Sequence, residues 1–166
     1  MVYKLRPLEV SFDFEDREYG LGDTIRADIE LVPNSDVTVR EARVDLMCEE
    51  RYVENYSVSG PGLYSNPGVA VPRAQISNQV VREQKETYVH STEIFLSDAK
   101  LAAGISLRYL ARLNIQPTPP VHLEDARALQ RDADRSWTFK WTLVATIDVV
   151  RGRNPKRQRV VRVGVE

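Results

Sequence analysis

The chain has 166 residues, 42% of them hydrophobic and 28% charged, with a formal net charge of −1. That suffices for one self-supporting globular domain and excludes a collagen-like or low-complexity chain; no run approaches the roughly 18 apolar residues of a membrane-spanning helix. Cys48 is the only cysteine, which excludes an intramolecular disulfide framework and a cysteine-ligated metal centre and fits a reducing compartment. With no apolar signal segment after Met1, the sequence reading is cytoplasmic.

Along the chain, Leu8, Val10, Phe12 and Phe14 alternate with Glu9, Ser11 and Asp13, which predicts a strand with one buried and one wet face. Glu15 to Asp23 is polar and carries Gly20 and Gly22, so a turn follows. Ile25, Ala27, Ile29 and Leu31 then alternate with Arg26, Asp28 and Glu30 in a second strand. Val32 to Asp36 breaks the chain. A third strand is predicted where Ala42, Val44, Leu46 and Cys48 alternate with Arg43, Asp45, Met47 and Glu49. Cys48 thereby reads as a small buried hydrophobe, with no basic or histidine neighbour to make it a nucleophile.

Residues 57–84 differ in kind. Ser57-Val58-Ser59-Gly60-Pro61-Gly62, Ser65-Asn66-Pro67-Gly68, Pro72 and Ser77-Asn78 are turn formers without an alternating run, so the span is expected to be one long flexible loop. Leu63, Tyr64, Val69, Val71 and Ile76 give it apolar area for docking; a mobile insert between strands is the other reading. Past it, Tyr88, His90, Thr92, Ile94 and Leu96 are expected on one side of a strand, with Val89, Ser91, Glu93 and Phe95 on the other. Ser97 to Gly104 reads as a connection with a short helical turn closed by Gly104. Ile105, Leu107, Tyr109, Ala111 and Leu113 restart the alternation until Pro117, Pro119 and Pro120 end it, and Leu123 to Asp134 allows at most a short surface helix.

The clearest signal is Trp137, Phe139, Trp141, Leu143, Ala145, Ile147 and Val149, an alternation held for thirteen residues. A helix would scatter these side chains around its circumference, so a long strand is predicted, with both tryptophans on its core face. Arg151 to Pro155 forms a turn, and Val161, Val163 and Val165 mark a last strand. About seven or more strands with turn signals between them predict one all-β domain over residues 1–166, an antiparallel immunoglobulin-like β-sandwich.

Motifs for chemistry are not found. His90 and His122 stand far apart in no ligand spacing, and no phosphate-cradling glycine loop or nucleophile elbow occurs. No cofactor and no enzymatic activity are expected. The tryptophans read as core, which argues against the alternative of a carbohydrate-binding sandwich with exposed aromatic platforms. A sandwich-fold hydrolase built from carboxylates on distant strands is the remaining alternative. Charge is uneven: residues 1–50 hold 13 acidic against 6 basic residues, whereas residues 151–166 hold Arg151, Arg153, Lys156, Arg157, Arg159 and Arg162 against Glu166. The basic end is expected to lie beside the acidic half and to guard an edge strand. Without interleaved aromatics it is not expected to bind nucleic acid.

The order of these pieces resembles the N-terminal-type sandwich domain of the arrestin-like superfamily. The resemblance rests on the strand Leu8 to Phe14, the turn Tyr19-Gly20-Leu21-Gly22-Asp23, the strand Val39 to Cys48, a long variable loop, Ile94-Phe95-Leu96, Gly104 leading to Tyr109-Leu110-Ala111, a proline cluster and the strand Trp141 to Asp148. It implies a non-enzymatic adaptor or scaffold that binds proteins, often at membranes, through strand edges and loops. The chain has room for one sandwich and no lysine pair near its first strand, so rotation between two lobes and arrestin-type phosphate sensing are not carried over. A single-domain arrestin-like protein of a prokaryote is the resulting description.

Two partner surfaces follow. One is the long loop with Tyr52, Tyr56, Leu63 and Tyr64, where tyrosines supply contact area at low entropy cost. The other is the terminal strand with Val161 and Val163, expected as an exposed sheet edge that accepts a partner strand or a second copy of the chain in a homodimer. The basic patch of Arg151, Arg153, Lys156, Arg157 and Arg159 is a further candidate, for peripheral contact with a membrane.

Overall fold

A computed structural model of the protein describes residues 6–59, 77–117 and 135–164. Among them there is no helix, and eight strands follow in order: β1 (Leu8–Phe14), β2 (Glu18–Tyr19), β3 (Thr24–Pro33), β4 (Val37–Ser59), β5 (Ser77–Leu101), β6 (Leu107–Asn114), β7 (Arg135–Val149) and β8 (Lys156–Val163). They form a three-stranded sheet in the order β1-β3-β6 and a five-stranded sheet in the order β2-β8-β7-β4-β5. By contacts the chain divides into two compact units, Met1–Glu49 with Thr87–Pro120 and Phe139–Glu166, and Glu50–Glu86 with Val121–Thr138.

The first unit holds the sandwich and its core. The inward rows of β1 and β3 (Leu8, Val10, Phe12 and Phe14; Ile25, Ala27, Ile29 and Leu31) are buried against Ala42, Val44, Leu46 and Cys48 of β4 and Trp141, Leu143, Ala145 and Ile147 of β7. These are the alternating positions of the sequence, because a pleated strand sends every second side chain to the same face. Cys48 is buried, as its apolar stripe implied.

The turn before β3 is closed by its own side chains. Gly22 has φ +89°, the left-handed region that glycine enters without a Cβ clash. The Asp23 carboxylate accepts hydrogen bonds from the Gly20 amide and the Arg17 guanidinium, both at 3.0 Å, which hold its pKa below the usual carboxylate range. Tyr19 is buried with its hydroxyl donating to the Glu15 carbonyl at 2.9 Å, and the Arg17 guanidinium lies 4.1 Å from the centre of its ring. Burial pushes the Tyr19 hydroxyl pKa up.

Three expectations are corrected. Residues 57–59 close β4 and residues 77–84 open β5, so the span 57–84 is strand at both ends, while residues 60–76 lie outside the described residues. Arg82, Glu83, Lys85, Glu86 and Thr87 of β5 are all exposed; a strand with no buried face leaves no alternation to read. Secondly, β5 continues through Leu101, where a short helical turn was expected, and Gly104 (φ +75°) ends the turn that follows, its amide donating to the Pro33 carbonyl at 2.8 Å. Thirdly, β5 does not keep its expected faces: Tyr88, Phe95 and Leu96 all pack against the core while Ile94 is exposed. The expected surface helix over residues 123–134 lies outside the described residues.

In the second unit, β4 and β5 supply a surface ion pair, Arg51–Glu83 at 2.8 Å. Trp137 donates its indole N–H to the buried Glu50 carboxylate at 2.8 Å.

Candidate binding groove at the edge of the three-stranded sheet

β1 and β6 are the two edges of the three-stranded sheet. Beside β1 runs β8, whose register with β7 sets its faces: Arg157 lies opposite Ala145, Arg159 opposite Leu143 and Val161 opposite Trp141. Directly opposed residues share a face, so Arg157, Arg159 and Val161 form the inward row of β8. Two of the three positions that apolar residues would fill are arginines, and both reach across to β1. The Arg157 guanidinium donates to the Val10 carbonyl at 3.2 Å. Arg159 pairs with Asp13 at 2.7 Å and lies 4.9 Å from the centre of the Phe14 ring. The Asp13 carboxyl is held below its ordinary pKa, first by the Arg159 hydrogen bond and then by the Phe14 amide. A third cross-pair, Arg162–Asp16 at 3.0 Å, lies further along. The acidic first segment and the basic last hairpin thus sit side by side, as the charge asymmetry implied.

Between β1 and β8 the surface is hollow. A groove of about 480 Å³ is lined by Glu9, Val10, Ser11, Phe12, Glu30 and Val32 on one wall and by Arg157, Gln158 and Arg159 on the other. A smaller hollow of about 170 Å³ adjoins it, lined by Arg6, Leu8, Glu9 and Val10 and by the turn and strand start Arg153 to Arg157. Four cations (Arg6, Arg153, Lys156, Arg157) face one carboxylate there, Glu9.

The backbone of β1 is what the groove exposes. In an antiparallel pair a residue's N–H and C=O leave the strand on the same side. The Val10 carbonyl points away from β3, toward Arg157, so the amides of Val10 and, two residues on, Phe12 point into the groove. No backbone carbonyl of β8 receives them.

The sequence-predicted sites fall apart in an instructive way. Arg153, Lys156, Arg157 and Arg159 are brought together on the groove, while Arg151 sits in the preceding turn at φ +57° and does not line it. Val161 is 3% exposed and part of the core, so it offers no side chain to a partner. Val163 is half-buried and pairs with Tyr19 of β2, so the end of the terminal strand is covered at Arg162 and Val163. A two-residue strand before the Gly20 turn carries no periodicity by which to anticipate that cover. Tyr52 is 2% exposed, buried where a surface contact was expected. Tyr56 lies on β4, and Leu63 and Tyr64 lie outside the described residues. Sequence reasoning missed β1 as the open edge: Leu8 to Phe14 announces its buried face, and nothing in it says which neighbour is absent.

The opposite seam, between β5 and β6, is filled. Glu93 accepts a hydrogen bond from the Arg112 amide, and His90 accepts one from the Gln116 amide through Nε2 at 2.9 Å. Phe95 and Tyr109 rings lie 5.2 Å apart, and the His90 ring meets the Trp141 indole edge-on at 4.8 Å. His90 therefore has a structural task.

No family model matches the sequence, and no curated protein does. Among solved structures the chain is similar to Spo0M, the sporulation control protein of Bacillus subtilis, with a TM-score of 0.61 and 8% identity over 98% of this chain and 51% of that one. The chain spans about half the length of that structure. At such low identity the likeness speaks to fold, and it supports the arrestin-like β-sandwich that the order of elements implied.

Proposed function

We propose that the protein is a non-enzymatic protein-binding module of adaptor or scaffold type, which takes an extended segment of a partner onto the free edge of β1. The observation that carries this reading is the run of backbone at Val10 and Phe12, unpaired on its outer side among the described residues, beside a groove of about 480 Å³. Added strands gain affinity from main-chain hydrogen bonds and selectivity from alternate side chains. The regulatory title of the neighbour, a sporulation control protein, points in the same direction.

The test is selection of binders from a random extended-peptide library, followed by amide hydrogen exchange of the complex. Slowed exchange confined to residues 8–14 is expected. A Val10→Pro variant removes a groove-facing amide while sparing the β3 ladder, and should lose at least about tenfold in affinity. Binders that protect another region, or that bind the proline variant equally well, would overturn the reading.

A further inference from the structure

The geometry points to an occupant of defined charge pattern: an extended segment whose side chains alternate, basic on the outward side and acidic on the side facing β8. This rests on β1 being the docking edge. The outward row of β1 is Glu9, Ser11 and Asp13, and its register sets Val32, Glu30 and Asp28 of β3 beside them. A strand laid on β1 places every second side chain next to Glu9 and Asp13, where a like charge is repelled and Lys or Arg is favoured. Its remaining side chains turn inward, toward Arg157 and Arg159, with Arg6, Arg153 and Lys156 at one end of the groove. Carboxylates suit that side.

The same rows argue against a second copy of the chain. Antiparallel pairing of β1 with itself about Ser11 sets Glu9 against Asp13 twice, with no cation between them on the outward face. Parallel pairing in register stacks each acid on its own copy.

Before a partner arrives, the arginines hold the edge. Arg157 occupies the Val10 carbonyl and Arg159 the Asp13 carboxylate. An incoming strand brings its own N–H to the Val10 carbonyl and displaces Arg157. An inward carboxylate then receives the freed Arg157 guanidinium, whereas a strand with apolar or basic inward residues leaves it unpaired. The inward arginines thus guard the edge against indiscriminate pairing and select for one class of strand.

Synthetic peptides of one length and composition background test this: alternating Lys and Glu, the same residues in two blocks, all Glu, and all Lys, titrated by fluorescence anisotropy at low salt. The alternating peptide is expected to bind about tenfold tighter than the others, since several opposed charge pairs each contribute a small factor. Glu9→Lys with Asp13→Lys should move the preference to all Glu; Arg157→Glu with Arg159→Glu should move it to all Lys. Circular dichroism checks that each variant is folded, and if the arginine pair is not, the Glu9 and Asp13 pair, both exposed, decides alone. Equal binding of block and alternating peptides, or an unmoved preference in the lysine variant, overturns the charge pattern while leaving the docking edge in place. No binding by any peptide, or unchanged binding to Val10→Pro, overturns the docking edge itself. A dimer by light scattering that Val10→Pro abolishes assigns the edge to a second copy and overturns the proposal.

Discussion

The two edges of the three-stranded sheet face the same problem and solve it differently. At β6, acceptors from β5 take two amides, Glu93 that of Arg112 in the strand and His90 that of Gln116 just past its end, with the Phe95 and Tyr109 rings packed between the strands. At β1, the side chains that β8 sends across are the donors Arg157 and Arg159, which meet a carbonyl and a carboxylate while the amides of Val10 and Phe12 are left to the groove. An edge is sealed when the facing strand carries acceptors for its N–H groups. Arginine has no acceptor to give, and so the β1 edge keeps its capacity to pair.

The comparison breaks most readily at Trp141, which lies buried beneath His90 at the sealed seam. Trp141→Ala is expected to cost about 3–5 kcal/mol by chemical denaturation, as large-to-small changes in cores do. Among the described residues the indole N–H of Trp141 has no hydrogen-bond partner, so the loss is one of packing, and Trp141→Phe should recover most of it. A loss under about 1 kcal/mol for Trp141→Ala would mean that the seam is not packed as described.

Amide exchange reads the two edges directly. Arg112 and Gln116 amides should exchange slowly and those of Val10 and Phe12 about a hundredfold faster, because exchange follows local opening and, among the described residues, only the first pair is hydrogen-bonded. Equal rates would erase the distinction between sealed and open. Glu93→Ala removes the acceptor on the Arg112 amide and should cost about 1.5 kcal/mol, in the range of a hydrogen bond to a charged group. Arg159→Ala at the other seam gives up an exposed pair and should cost less.

Acid acts on carboxyls of β1, of β3 and of the turn before β3. The carboxyls of Asp13, Asp23 and Glu30 are all held below their ordinary pKa: Asp13 by Arg159, Asp23 by the Gly20 amide and then Arg17, Glu30 by the Ser106 hydroxyl and then Arg108. A carboxyl depressed in the folded state stabilises it above the unfolded pKa, near 4, and that contribution is lost as pH falls through the folded value. Stability should therefore decline from about pH 5 downward, and Asp13→Asn should make that decline shallower while leaving the plateau above it lower. An unchanged acid limb in Asp13→Asn would remove the Arg159 contact from the account.

How much of this could be read in advance depended on whether a strand has one wet face. β1, β3 and the core part of β7 do, and their alternation located them within a residue or two. Arg82, Glu83, Lys85, Glu86 and Thr87 of β5 are exposed, so no alternation marked a strand there, and the expected loop was carried on to Gln84. The groove was half legible. Arg153, Lys156, Arg157 and Arg159 stood out as a basic run, but Lys156-Arg157-Gln158-Arg159 has no apolar phase, and only the pairing of Val161 with Trp141 reveals that two of these arginines face inward. The open edge of β1 was not legible at all, since edge status belongs to the neighbours of a strand and not to its own residues.

The smallest expected effect lies on β5, the strand that seals the other seam. Asp98 has φ +47°, a left-handed conformation inside a strand, and its exposed side chain makes no hydrogen bond or ion pair with the described residues. Glycine enters that region without the Cβ clash, although it also loosens the unfolded chain, which offsets part of the gain. Asp98→Gly should therefore stabilise by about 0.5 kcal/mol. Ser97→Gly, one residue earlier with an ordinary backbone, should instead destabilise by about 0.5–1 kcal/mol. Opposite signs at adjacent positions would assign the gain to relief of the left-handed residue; two losses would show that β5 needs a side chain at Asp98.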